Sequence, residues 1–367
     1  MKFIFDRDAM IKEISIAQEI ISTKNVTSIL SNVLFIAENN TLTIKATDIK
    51  VTFETKLPVE VFEPGTTTIL CDKFMSILNS LPSGEIEFNQ NDIKVIINPI
   101  ATKATFQLKS MASDQFPEFN TIDEIKYFEI PASEIKEMIT QTIFAISDDE
   151  TRYFMNGVYF EKKDDNLILV ATDGRRLAYI EKNICQGVEN FKSAIVPPKI
   201  LNIILKRIPS EGNIQLSITE KNIYFKIGNY KFSSILIDGQ FPNYTRVIPE
   251  KQTFSFEVEK KDLIDALKRV SLLVEKSSQR IYFNITSGNL IITSQENEIG
   301  TAKAEIPCMY DGMEITIAFN YLHFEEPMKV ITADRLKIEF TESMRAVTMK
   351  VIPNADYFHI IMPMQME

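Results

Sequence analysis

The chain has 367 residues, 45% hydrophobic and 25% charged, which excludes a disordered or collagen-like polymer and is too long for one ordinary core. A formal net charge of -10 excludes a surface coated with phosphate-binding cations, but it leaves room for a local basic face behind an acidic exterior. No apolar run approaches the roughly 18 to 20 residues of a membrane span, and Met1-Lys2-Phe3-Ile4-Phe5-Asp6-Arg7-Asp8 lacks a signal peptide's apolar segment, so a cytosolic protein is expected.

Met10, Ile14, Ala17 and Ile21 recur at helical spacing and predict an amphipathic helix near the start. Alternating runs then predict antiparallel hairpins, with a turn at Glu38-Asn39-Asn40 and a strand ending in Leu42-Thr43-Ile44-Lys45-Ala46-Thr47-Asp48. A second helical stretch runs from about Asp72 to Leu81, more strands follow, and the unit closes with Asp114-Gln115-Phe116-Pro117-Glu118-Phe119. The same order then repeats. Ile135, Met138, Ile139, Thr142 and Ile146 predict a helix, and Leu167-Ile168-Leu169-Val170-Ala171-Thr172-Asp173 reproduces the earlier strand 125 residues on. Pro198 to Ile208 supplies the second helix, and Asp238-Gly239-Gln240-Phe241-Pro242-Asn243-Tyr244 echoes the first unit's end at the same offset. A fainter third copy has a helix at Leu263, Ala266, Leu267, Val270 and Val274, the strand Leu290-Ile291-Ile292-Thr293-Ser294-Gln295-Glu296, and a second helix from Asn320 to Val330.

The expectation is an α+β chain of three repeated domains, 1–122, 123–250 and 251–367, each with two helices packed on antiparallel sheet. Two such chains associating head to tail would close a ring of six similar units, which removes exposed sheet edges. Cys71, Cys185 and Cys308 are odd in number and far apart, and they read as isolated reduced thiols, neither disulfides nor zinc ligands. No metal or cofactor is expected.

Three segments carry a family resemblance: Ala171-Thr172-Asp173-Gly174-Arg175-Arg176-Leu177-Ala178, Phe241-Pro242-Asn243-Tyr244-Thr245-Arg246-Val247-Ile248-Pro249, and Ile360-Ile361-Met362-Pro363-Met364. In this order and over the whole length the chain resembles the bacterial sliding clamps, the beta subunit of the replicative DNA polymerase. The resemblance implies a non-catalytic ring around duplex DNA that tethers the replicative polymerase, the clamp loader and other partners bearing a clamp-binding motif.

By the same resemblance Thr172, Gly174, Arg175, Arg176, Leu177, Pro242, Arg246, Val247, Ile360, Met362, Pro363 and Met364 form a peptide-binding pocket, with Met155, Asn320, His323, Met344 and Ala346 nearby. Apolar Leu, Val and Ile with flexible Met suit an adaptable binding surface. Arg175 stands where the family often has His, His323 where Tyr is common, and the chain ends in Gln365-Met366-Glu367 instead of a basic residue and Leu. Lys24, Lys73, Arg152, Tyr153, Lys199, Lys206 and Arg207 are implied as sequence-independent DNA contacts, although Asp148, Asp149 and Glu150 place negative charge beside Arg152. The implied dimer interface sets Phe106 and Leu108, on an edge strand, against Leu272 and Leu273 on the partner's third-domain helix. An enzyme built on Asp173, His323 or His359 finds no supporting HExxH, GxSxG, P-loop or Rossmann glycine pattern, and Asp173 beside Gly174 reads as a turn residue. A scaffold that does not touch DNA shares the same fold expectation.

Overall fold

A computed structural model describes residues 1–21, 28–118 and 126–366. The first repeat runs β1 (Lys2–Asp6), α1 (Arg7–Ile20), β2 (Asn32–Glu38), β3 (Thr41–Thr47), β4 (Val51–Pro58), β5 (Glu60–Glu63), β6 (Gly65–Leu70), α2 (Cys71–Ser80), β7 (Glu85–Asn91), β8 (Lys94–Pro99) and β9 (Phe106–Lys109). The second runs β10 (Phe128–Pro131), α3 (Ala132–Thr140), β11 (Val158–Lys163), β12 (Asn166–Thr172), β13 (Arg176–Lys182), β14 (Ala194–Val196), α4 (Pro198–Leu205), β15 (Asn213–Ile218), β16 (Asn222–Ile227) and β17 (Tyr230–Ile235). The third runs β18 (Phe254–Glu259), α5 (Lys260–Ser271), β19 (Arg280–Thr286), β20 (Asn289–Ser294), β21 (Lys303–Pro307), β22 (Ile315–Asn320), α6 (Leu322–Val330), β23 (Arg335–Phe340), β24 (Val347–Ile352) and β25 (Tyr357–Ile361). The chain is therefore α+β throughout, three repeats of antiparallel sheet and helices.

Each repeat uses one pattern twice: a lead strand, a helix, then three antiparallel strands. The lead strands are exchanged between the two halves, so β6 opens the sheet of β2, β3 and β4, while β1 opens that of β7, β8 and β9. Four of these four-strand sets are joined in pairs through their last strands. β4 pairs with β17 and β13 pairs with β25, giving two eight-stranded sheets that each combine strands of two repeats. Among the described residues the sets ending in β9 and β21 stop at those strands.

The chain divides into two compact units, residues 1–132 with 199–236 and residues 133–198 with 237–367. In the first, α1 starts where Asp6 caps it by accepting from the Ala9 N–H (2.8 Å), and it buries Met10, Ile14 and Ala17 fully. Phe3 stacks on Phe88 (4.7 Å) and Phe35 meets Phe74 edge-on (5.6 Å) to fill that core. In the second, Leu263, Ala266, Leu267 and Val270 bury the apolar stripe of α5, and Phe324 of α6 packs on Phe283 and Phe319.

Several helix ends differ from the periodicity. Ile21 is the C-cap of α1. α3 stops at Thr140, where the backbone tightens: the Thr142 N–H bonds the Ile139 carbonyl (3.2 Å) and a 3-10 turn, Ile143–Ala145, follows; Thr142 and Ile146 thus lie beyond the helix. α5 ends at Ser271, so Leu272 caps it and Leu273 and Val274 follow it. A boundary at 122 lies outside the described residues, and one at 250 falls in the link between β17 and β18. Cys71, Cys185 and Cys308 are free and buried. No described helix is long and apolar enough to cross a membrane.

Candidate functional site

The second unit holds an apolar cleft of about 200 Å³. Its floor is a product of sheet register: β13 and β25 place Leu177 opposite Ile360, and both side chains are buried in one cluster with Tyr244. The hairpin joining β12 to β13 shapes one end. Asp173 accepts from the Arg175 and Arg176 N–H groups (2.8 and 3.0 Å), the Thr172 hydroxyl donates to the Arg176 carbonyl (2.6 Å), and Gly174 takes φ +85°. A Cβ on Gly174 would also meet Arg152 Nη1 at 3.0 Å. Asp173 is thus a turn residue, as its neighbour Gly174 suggested.

Met155, Thr172, Gly174, Arg176, Leu177, Pro242, Val247, Ile360 and Met362 all line this cleft, together with Asn243 and Tyr244. Val247 and Met362 are exposed at the rim, 50% and 40%, above the buried floor. Asn243 and Tyr244 were not singled out beforehand, although they sit inside the quoted Phe-Pro-Asn-Tyr segment. Tyr244 donates to Glu161 (2.5 Å), and burial first, then this carboxylate, pushes its hydroxyl pKa up. The tether fixes the wall that carries Pro242 to Val247.

Other expected members stand outside the lining. Arg175 and Arg246 are exposed, the Arg175 carbonyl accepting from the Met362 N–H (2.8 Å). The Asn320 side chain accepts from the Leu322 N–H (3.0 Å) at the start of α6 and donates to Gln279 (3.1 Å). Met344 is exposed, Ala346 packs behind the floor, and the Met364 N–H donates to the Ala318 carbonyl (2.8 Å), which leaves Pro363 between two anchored residues. Arg176 reaches away from the cleft: it bonds Asp173 (3.1 Å), the Phe144 carbonyl (2.8 Å) and Glu326, with its guanidinium over the Phe144 ring. Its charge adds to burial in holding the His323 imidazole down to about 4. His323 is therefore a neutral buried residue of α6 and does not belong to the pocket wall.

The basic residues implied for DNA lie on helix ends and turns. Lys24 lies outside the described residues. Lys73 is exposed in the first turn of α2. Arg152 and exposed Tyr153 occupy a 3-10 stretch, Glu150–Met155, with Arg152 Nε bonded to Asp149 (2.9 Å). Lys199 donates to Asp48 (2.6 Å) and the Ile20 carbonyl (2.7 Å). Lys206 and Arg207 both meet Glu19, at 3.1 and 2.9 Å. Among the described residues no cluster of His, Cys, Asp and Glu is arranged to hold a metal.

Phe106 and Leu108 are half-buried on β9, the last strand of its sheet. Leu272 is 80% exposed at the end of α5, next to half-buried Leu273. The loop before β21 is tied to this corner by the Asn297 side chain, which donates to the Leu273 carbonyl (2.9 Å), and it exposes Ile299.

Comparison with known proteins agrees with this architecture over the whole chain. The sequence profiles of the DNA polymerase III beta subunit match residues 1–120 (N-terminal domain), 129–243 (central domain) and 245–365 (C-terminal domain). The chain is 48% identical to a beta sliding clamp of Treponema pallidum and 26% identical to one of Escherichia coli K12, each covering all of both chains. Among solved structures it is similar to a sliding clamp (DNA polymerase III subunit beta) from Bartonella birtlesii bound to griselimycin, at 29% identity and TM-score 0.95. It is also similar to the DNA polymerase III subunit beta of Pseudomonas aeruginosa, at 26% identity and TM-score 0.94; both comparisons cover the full length of each chain. The domain profiles and the full-length identity together place the chain in the family of the DNA polymerase III beta subunit, the beta sliding clamps, non-catalytic processivity factors of DNA replication.

Proposed function

We propose that two copies of this chain close head to tail around duplex DNA in the cytoplasm, and that the cleft of the second unit takes short peptide motifs of the replicative polymerase, the clamp loader and other replication and repair proteins. The observation that carries the docking assignment is the cleft itself: a buried apolar floor with exposed Val247 and flexible Met362 at its rim. The Bartonella relative bound to griselimycin supports the reading that this fold takes a ligand. Leu177 and Ile360 accept apolar anchors, and the exposed Asn243 at the cleft wall supplies a polar group that orients a ligand.

Ring closure is supported by the sheet rule. β4 finds β17 and β13 finds β25, last strand to last strand, so β9 of one copy and β21 of another are the remaining pair. Lys73, Arg152, Tyr153, Lys199 and Lys206 then make weak, sequence-independent contacts with the encircled duplex, and linkage does most of the holding.

Titrating a clamp-binding peptide from the cognate replicative polymerase tests the cleft. Val247→Asp puts a charge on the exposed rim without touching the core, and it is expected to weaken the peptide by about thirty-fold, or ~2 kcal/mol. Equal affinities for wild type and variant would place the docking site elsewhere.

A further inference from the structure

Acidic side chains stand beside the cations proposed to contact DNA. Glu19 on α1 lies between two basic residues that follow α4: Oε2 accepts from Lys206 Nζ (3.1 Å) and Oε1 from Arg207 Nη2 (2.9 Å). Partial burial pushes the Glu19 carboxyl up, but the hydrogen bonds from Arg207 and Lys206 outweigh it and leave the group below its ordinary value. The two cations are not alike. The Arg207 side chain is only 10% exposed and also donates to the Ile203 carbonyl (2.7 Å), so it fixes Glu19 in place. The Lys206 side chain is 63% exposed, and among the described residues Glu19 is the partner that holds it.

We infer that Glu19 is the residue that sets how strongly Lys206 grips DNA. A phosphate reaching Lys206 replaces a carboxylate already in place, so the contact is an exchange of partners and its net gain is small. Arg207 holds the carboxylate at that spot and contributes no phosphate contact. A weak contact suits a ring that must move along DNA, and neutralising Glu19 converts Lys206 into a free cation. Lys199 with Asp48 and Arg152 with Asp149 repeat the arrangement at two further cations. This inference rests on the proposed DNA contact at Lys206.

The experiment is binding of the full-length dimer to a short fluorescent duplex across a salt series. Glu19→Gln keeps an oxygen to accept from Arg207, and it is expected to bind roughly two- to five-fold tighter at low salt, with a slope of log K against log salt steeper by about one. Lys206→Gln is expected to weaken binding, and the double variant to match Lys206→Gln alone. Glu60→Gln, on β5, removes an equal charge from an exposed site and is expected to change little. Glu19→Ser serves as a second variant should the amide disturb folding. Wild-type affinity in both Glu19 variants, with Lys206→Gln still weakened, overturns the inference and leaves the DNA contact standing. Wild-type affinity in Lys206→Gln as well overturns the contact itself. A tightening equal to that of Glu60→Gln reduces the effect to net charge and also overturns the inference.

Discussion

The repeated hairpin turn is made twice with different residues, and the difference has an energetic consequence. In the first copy Asp48 accepts from the Lys50 and Val51 N–H groups (3.0 and 2.7 Å) and Thr47 donates to the Val51 carbonyl (2.9 Å), as Asp173 and Thr172 do in the second. Where the second copy has Gly174, the first has Ile49 at φ +79°, a conformation costly for a β-branched side chain, and it is 62% exposed. Replacing Ile49 with Gly removes the strain and little packing, so unfolding is expected to shift up by about 1 kcal/mol, whereas Gly174→Ala is expected to destabilise by a similar amount or more. Chemical denaturation of both variants checks the pair of signs. His359 offers a second test. It is buried between Phe144 and Tyr357, and burial followed by the nearby Arg176 charge holds its imidazole down to about 3. With the folded value below the unfolded one near 6.5, the unfolded chain binds the extra proton between them, so stability is full above that pH and falls as pH drops toward 3. At pH 5 the loss is about 2 kcal/mol, and His359→Phe is expected to narrow the gap between unfolding midpoints at pH 7 and pH 5.

At the level of elements, the alternation of helices with hairpins was readable because each apolar stripe obeys one period. Met10, Ile14 and Ala17 are all fully buried, and Leu42 and Ile44 lie inward on β3 as the alternation requires. The ends of elements were less readable, since backbone bonding outside the period decides them. The backbone of α3 tightens into a 3-10 turn at Thr142, and nothing periodic marks Leu272 as a cap. The exchanged lead strands were not readable at all, because the pairing of β1 with β7 joins segments far apart in sequence with no local signal. In the cleft, the apolar floor was legible through the motifs, whereas the tether from Tyr244 to Glu161 depends on strands brought together by folding. The C-terminal tail beyond β25 is held to its neighbours by two backbone bonds, Met362 N–H to Arg175 and Met364 N–H to Ala318. Ending the chain at Ile361 therefore removes one cleft wall and leaves β25 paired on both sides. Peptide binding is expected to be lost to beyond detection, while the unfolding midpoint moves only slightly and the dimer mass is kept. Retained peptide affinity in that truncation would mean the tail forms no part of the site.

For the whole molecule, the six four-strand sets of one chain pose an accounting problem in sheet edges. Among the described residues two last-strand junctions are made internally and the two remaining sets end in β9 and β21, so a single chain keeps two unpaired last strands that can meet another copy. Apolar side chains accompany both: Phe106 and Leu108 on β9, and Leu272 and Ile299 beside β21. In an isolated chain a leucine that is 80% exposed contributes almost nothing to the core, which makes Leu272 a clean probe of association. Leu272→Asp is expected to leave the thermal unfolding of the monomer unchanged and to shift solution mass from dimer toward monomer at micromolar concentration, because a carboxylate desolvated in an apolar contact costs several kcal/mol. Leu108→Lys on the opposite edge is expected to do the same from the other side. The heterologous geometry adds a sharper expectation: mixing the two variants restores one intact junction per pair, since the Leu108→Lys chain still offers a normal Leu272 and the Leu272→Asp chain a normal β9. The mixture is therefore expected to form an open heterodimer, seen as dimer mass that fails to persist on closed circular DNA. An isologous contact, with each surface meeting its own copy, predicts homodimers of neither variant or of only one, and no gain on mixing. Analytical ultracentrifugation of the two variants, separate and mixed, decides between those arrangements.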